Sequence, residues 1–176
     1  YMSGKNPRDA KECIYLIKEH CDFIVSGNHD LFSSKTIPEY NAGIDYPENW
    51  YSLSIKERDK IAKSKIWLYD NEEPQNIADK ERLFLKNLAS ILKPEISGKK
   101  LLLSHYLYPD IHGNLSTFVN SYQKGRKHIE YIKKHSCMLG LCGHAHPDGF
   151  IIIKEKSLNK HSFSKTRLSN EAQAIV

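Results

Sequence analysis

Nine histidines are spread over the chain, and four of them share one kind of position. His29, His105, His144 and His146 each follow directly on a short apolar run, within S-G-N-H-D (26–30), L-L-L-S-H (101–105) and G-H-A-H (143–146). Neutral imidazoles suit Zn, Fe, Mn, Ni or Co, and amide or carboxylate oxygens complete harder sites. A Gly-Asn pair alone marks only a turn, because both residues tolerate left-handed backbone. That accounts for Gly27 and Asn28 but not for the imidazole and carboxylate of His29 and Asp30 beside them. An H-x-H pair in extended chain sends both side chains to one side, whereas in a tight turn it can straddle two metals.

The other five histidines lack this placement. His20 and His135 immediately precede apolar runs, and with His128 and His161 they read as surface or structural residues. His112 lies in the loop after His105, within reach of a substrate, and the structural reading is the stronger one.

The elements that must position these groups are legible as α-then-β units. Asn6-Pro7-Arg8-Asp9 has the grammar of a helix start, and Ala10, Cys13, Ile14 and Ile17 continue it at helical spacing. Cys21–Val25 then reads as a short buried strand ending at the first motif. Residues 31–51 are turn-rich and aromatic, which predicts a long surface loop. Helices are predicted from Ser54 to about Lys65, from Lys80 to Lys93 with Pro94 ending it, and from Lys124 to Lys134. Further strands are predicted at Lys99–Ser104, Cys137–Cys142 and Phe150–Lys154, with another at Ser162–Leu168. Ala174-Ile175-Val176 reads like a strand cut short. Three strands thus deliver N-H-D, S-H and G-H-A-H to one sheet edge, the place where α/β sheets bind ligands.

Composition sets the class. The 176 residues are 40% hydrophobic and 27% charged, ordinary for a single globular domain spanning 1–176. No apolar run approaches the roughly 18–20 residues of a membrane span, and no secretory signal is visible. The net charge of +5 is dispersed among acidic residues, giving no support to a nucleic-acid partner. Four cysteines, none in a C-x-x-C pair, read as free buried thiols and point to a reducing, cytoplasmic setting.

Taken together, S-G-N-H-D, L-L-L-S-H and G-H-A-H resemble the third, fourth and fifth blocks of the calcineurin-like metallophosphoesterases. G-K-N-P-R-D-A-K-E-C-I is similar to the helix start that follows the second block in many members, so the resemblance runs from the start to about Ile153. It implies an α-β-β-α sandwich, two packed sheets flanked by helices, with a two-metal site at the strand ends. It implies that Asn28, His105 and His144 bind one ion and His146 the other, the ions being Mn, Fe or Zn. His29 takes the place of the family's catalytic histidine, and Asp30 that of the residue orienting its ring. The implied reaction is hydrolysis of a phosphate monoester or diester.

The family's upstream Asp-x-His and Gly-Asp-x-x-Asp blocks have no counterpart in these residues. The reading is therefore of a domain incomplete at the N-terminus, and at the C-terminus too, inactive on its own and holding one metal poorly. Asp45, Asp110 and Asp148 match no ligand position. Selectivity among phosphoesters is expected to lie in 31–80 and in the loop Tyr106–Asn120. The alternative is a non-catalytic protein-binding scaffold on the same fold.

Overall fold

The computed structural model describes residues 10–69, 77–162 and 171–176. The fold is mixed α/β. Among the described residues, five α-helices, α1 (Ala10–His20), α2 (Asn28–Ser34), α3 (Ile55–Ala62), α4 (Asp79–Lys86) and α5 (Tyr122–Lys134), accompany six strands. The strands are β1 (Glu95–Ile96), β2 (Lys99–Leu103), β3 (Leu139–Leu141), β4 (Phe150–Lys154), β5 (Ser157–His161) and β6 (Gln173–Ile175). They form one sheet in the order β1-β2-β3-β6-β4-β5. The second sheet that the resemblance implies is not among the described strands. No helix among the described residues is long and apolar enough to cross a membrane.

The centre of the sheet is parallel. β2 pairs with β3 through Leu101↔Leu139 and Leu103↔Leu141, and β3 pairs with β6 through Leu141↔Ile175. A parallel pair needs a crossover, and α5 supplies it. Its buried Ile129 and Ile132 pack on Leu102, Ile153 and Ala174, each fully or almost fully excluded from water. Gly140 is required beneath this helix, since a Cβ there would meet Ile132 at 2.7 Å and His128 Nε2 at 2.9 Å. The antiparallel neighbours β4 and β5 form a hairpin, with Phe150 paired to His161.

A second nucleus lies outside the sheet. Ile44, Trp50, Ala62 and Ile66 are buried together. The segment 31–51 is thus not a simple surface loop: α2 occupies its first turns and Trp50 anchors its end. Ser54 caps α3 with a reciprocal box, Ser54 N–H donating to Glu57 Oε2 at 2.8 Å and Glu57 N–H to Ser54 Oγ at 3.3 Å. Lys63 ends the helix in the left-handed region, φ 52°. Beyond it Ile66 bridges Leu115 and Trp67 N–H donates to the Asn114 carbonyl at 3.0 Å, tying this nucleus to the loop after β2.

Two sequence expectations are corrected by pairing. The helix predicted to Lys93 ends at Lys86, with Asn87 at its C-terminus. Ala89 then bridges Val25 and Leu92 bridges Leu103, so tertiary pairing overrides helix propensity. The strand predicted at Cys21–Val25 is reduced to that single bridge at Val25, because no described strand lies alongside its earlier residues. Of the four free thiols, Cys13 and Cys21 are exposed rather than buried. Asn6–Asp9 and most of Ser162–Leu168 lie outside the described residues.

Candidate metal and catalytic centre

Parallel register is what brings the histidines together. Because Leu103 and Leu141 are level, the chains leave β2 and β3 at the same edge. There Ser104 N–H donates to the Leu141 carbonyl at 3.2 Å and Gly143 N–H to the His105 carbonyl at 2.9 Å. His105 Nε2 and His144 Nδ1 consequently face each other at 3.2 Å, their rings edge-on at 5.1 Å.

The first motif arrives from the side. Gly27 is the N-cap of α2, and Asp30 Oδ2 accepts the Gly27 N–H at 2.8 Å, closing the first turn. The motif is therefore a helix start rather than a free turn, and Asp30 holds that start while its charge acts on His29. Gly27 is fixed by proximity: an added Cβ would lie 2.8 Å from the His105 ring. Asn28 is buried; its Nδ2 donates to Tyr69 Oη at 2.8 Å, and its Oδ1 has no hydrogen-bond partner. His29 meets the Tyr69 ring edge-on at 5.0 Å.

G-H-A-H adopts the tight-turn alternative. His144 and His146 both have positive φ, 70° and 45°, and Ala145 N–H reaches the Gly143 carbonyl at 2.9 Å. Left-handed backbone at a non-glycine residue costs about 1–3 kcal/mol and clusters at functional sites. His144 is buried against Tyr106 and Phe118, with Nε2 unpartnered, while His146 is exposed. Gly113, at φ 70°, lets the loop press on His144; a Cβ would lie 2.5 Å from Nδ1.

Electrostatics keep these rings neutral. Burial, then the neighbouring His144, His29, His112 and His146, lowers His105 to about 4. Burial, then His146 and His29, lowers His144 to about 4. Burial also pushes Asp30 upward, opposed by the Gly27 N–H and by His29. A neutral imidazole with a free lone pair is the metal-ligating form.

The donor set fits a divalent cation in two respects. Two nitrogens about 2.0–2.1 Å from one ion sit about 2.9–3.4 Å apart, the span His105 and His144 already show. The orphaned, buried Asn28 Oδ1 is an oxygen donor of the kind that completes such a set. Among the described residues, no group of three or more His, Cys, Asp and Glu side chains is placed to hold an ion by itself.

Three residues outside the motifs support this edge of the sheet. His112 is buried here with its Nε2 3.1 Å from Ser26 Oγ, as the structural reading of the sequence expected. Its place in the post-strand loop was the available signal. Asp110 ties that loop, accepting the Asn114 and Leu115 N–H groups, each at 2.9 Å. Tyr69, which follows Ile66 of the second nucleus closely in the chain, had no sequence signal. His128 proves structural rather than superficial: it is fully buried, and Nδ1 accepts the Tyr108 N–H at 2.9 Å.

No family model and no curated protein matches the chain. Among solved structures it is similar to the crystal structure of hypothetical protein PH1004 from Pyrococcus horikoshii OT3, at 11% identity and a TM-score of 0.42. The alignment covers 77% of this chain and 49% of that one, so the chain spans about half the length of that structure.

Proposed function

We propose that these residues form part of the active site of a metal-dependent phosphoesterase, of the calcineurin-like kind its motifs resemble. The observation that carries the reading is the pair His105 Nε2 and His144 Nδ1 at 3.2 Å, beside an Asn28 whose buried oxygen has no partner. Asn28, His105 and His144 would hold one Mn, Fe or Zn ion and His146 a second. Such ions, when bound, supply Lewis-acid stabilisation of phosphoryl oxygens and a water of lowered pKa.

The chain's own residues supply the remainder. His29 would protonate the leaving oxygen, a task contributing about 10²–10⁴-fold. Asp30, next along α2, would orient the His29 ring, and His29 in turn opposes the upward push that burial gives Asp30. Asn28 would ligate without adding negative charge, which would leave the site attractive to a phosphate ester. His105 and His144, lowered to about 4, share a hydrogen bond between Nε2 and Nδ1 that a bound ion would replace.

The test is hydrolysis of bis(p-nitrophenyl) phosphate and p-nitrophenyl phosphate, with Mn²⁺, by the protein expressed from its whole reading frame. Hydrolysis should appear with Mn²⁺ and fall by about 10²–10⁴-fold in His29→Asn, with substrate binding retained. A protein that hydrolyses neither ester, or loses nothing in His29→Asn, would favour the scaffold reading instead.

A further inference from the structure

Asn28 is gripped at one end only. Its Nδ2 donates to Tyr69 Oη at 2.8 Å, and its buried Oδ1 accepts nothing. An amide turned end for end would present two N–H donors where the oxygen now lies, and such a face repels a cation. In this arrangement the phenol oxygen accepts from the amide and leaves Oδ1 free; an ion at Oδ1 would select this sense over the flipped one, in which the phenol O–H donates to Oδ1.

Tyr69 is itself held in an unusual way. Its φ is 57°, a left-handed conformation uncommon for a bulky side chain. The bridge Ile66–Leu115 and the Trp67–Asn114 hydrogen bond place it there. Its ring lies against Phe32 at 4.7 Å and meets His29 edge-on at 5.0 Å. One residue from outside α2 thus touches three residues of α2, Asn28, His29 and Phe32: the candidate ligand, the candidate acid and the ring behind them.

We propose that Tyr69 is a positioning residue of the site: its hydroxyl sets the Asn28 amide with Oδ1 toward the ion, and its ring edge fixes His29. The inference rests on the metal-site reading above. Partners that orient a metal ligand are commonly worth about 10–100-fold in metal affinity.

Tyr69→Phe removes the hydroxyl and keeps the ring, so packing on Phe32 and His29 survives. Two readouts on the full chain decide the matter: the Asn28 side-chain amide resonances in ¹⁵N-edited NMR, and Mn²⁺ affinity by calorimetry. Tyr69→Phe should shift those resonances, speed their solvent exchange and weaken Mn²⁺ by about 10–100-fold. Phe32→Leu, which alters ring packing alone, should bind Mn²⁺ like the wild type. Unchanged Asn28 resonances, or undiminished affinity in Tyr69→Phe of a chain that binds Mn²⁺, would overturn the role of Tyr69 alone. A wild-type chain that binds no Mn²⁺ would overturn the metal reading, and the ligand-orienting role with it.

Discussion

At the scale of single residues, the site is built as much by glycine as by histidine. Gly27 leaves room for the His105 ring, and no other residue fits there without movement. Gly27→Ala should therefore lower stability by about 1–3 kcal/mol, read by urea unfolding, because the new methyl overpacks against an imidazole. Stability within a few tenths of wild type would show that the ring has room to shift. His128 gives a second prediction through proton linkage. Burial depresses it to about 4 in the folded protein, against about 6.5 when unfolded. Between those values the unfolded chain binds the extra proton, so its contribution is complete above pH 6.5 and is lost as pH falls toward 4. The loss attributable to it is about 3 kcal/mol at most. His128→Asn, whose oxygen can replace Nδ1 as acceptor for the Tyr108 N–H, should flatten the acid limb of a stability–pH curve. An unchanged acid limb would mean that His128 does not carry this linkage.

At the scale of elements, the histidine positions were readable because each follows an apolar run that became, or nearly became, a strand end. Phe150–Lys154 forms the strand expected, and α5 brackets its predicted range closely. What escaped was pairing between distant segments. Nothing local to L-A-S-I-L announces that Ala89 will meet Val25 and Leu92 will meet Leu103, and the periodic leucines there mimic a continuing helix. Likewise S-G-N-H-D reads as a turn until Asp30 is seen closing the first turn of α2. The loop after β2 depends on Asp110, whose carboxylate burial pushes upward in pKa against the N–H groups of Leu115 and Asn114. Asp110→Ala should cost about 1–3 kcal/mol and accelerate amide hydrogen exchange at Asn114 and Leu115 specifically. Uniform exchange with no local increase would assign the loop's order to other contacts.

At the scale of the molecule, one crossover and one register place two imidazoles nitrogen to nitrogen, and a separate nucleus around Trp50 sends Tyr69 to the third group. The α/β class was legible from alternating helical and strand patterns; the single mixed sheet among the described residues was not, because strand order is set by contacts remote in sequence. Ile153, fully buried where α5 meets the sheet, should cost about 2–5 kcal/mol when cut to alanine. The central claim is that Asn28, His105 and His144 form one ion-binding set. Its most direct test is titration of the chain with Co²⁺, followed by the visible absorption of the nitrogen-ligated ion. The bands should saturate at one ion per chain, in excess Co²⁺ where binding is weak, and be lost in both His105→Ala and His144→Ala. It is contradicted if no bands develop in excess Co²⁺, or if they persist unchanged in both variants.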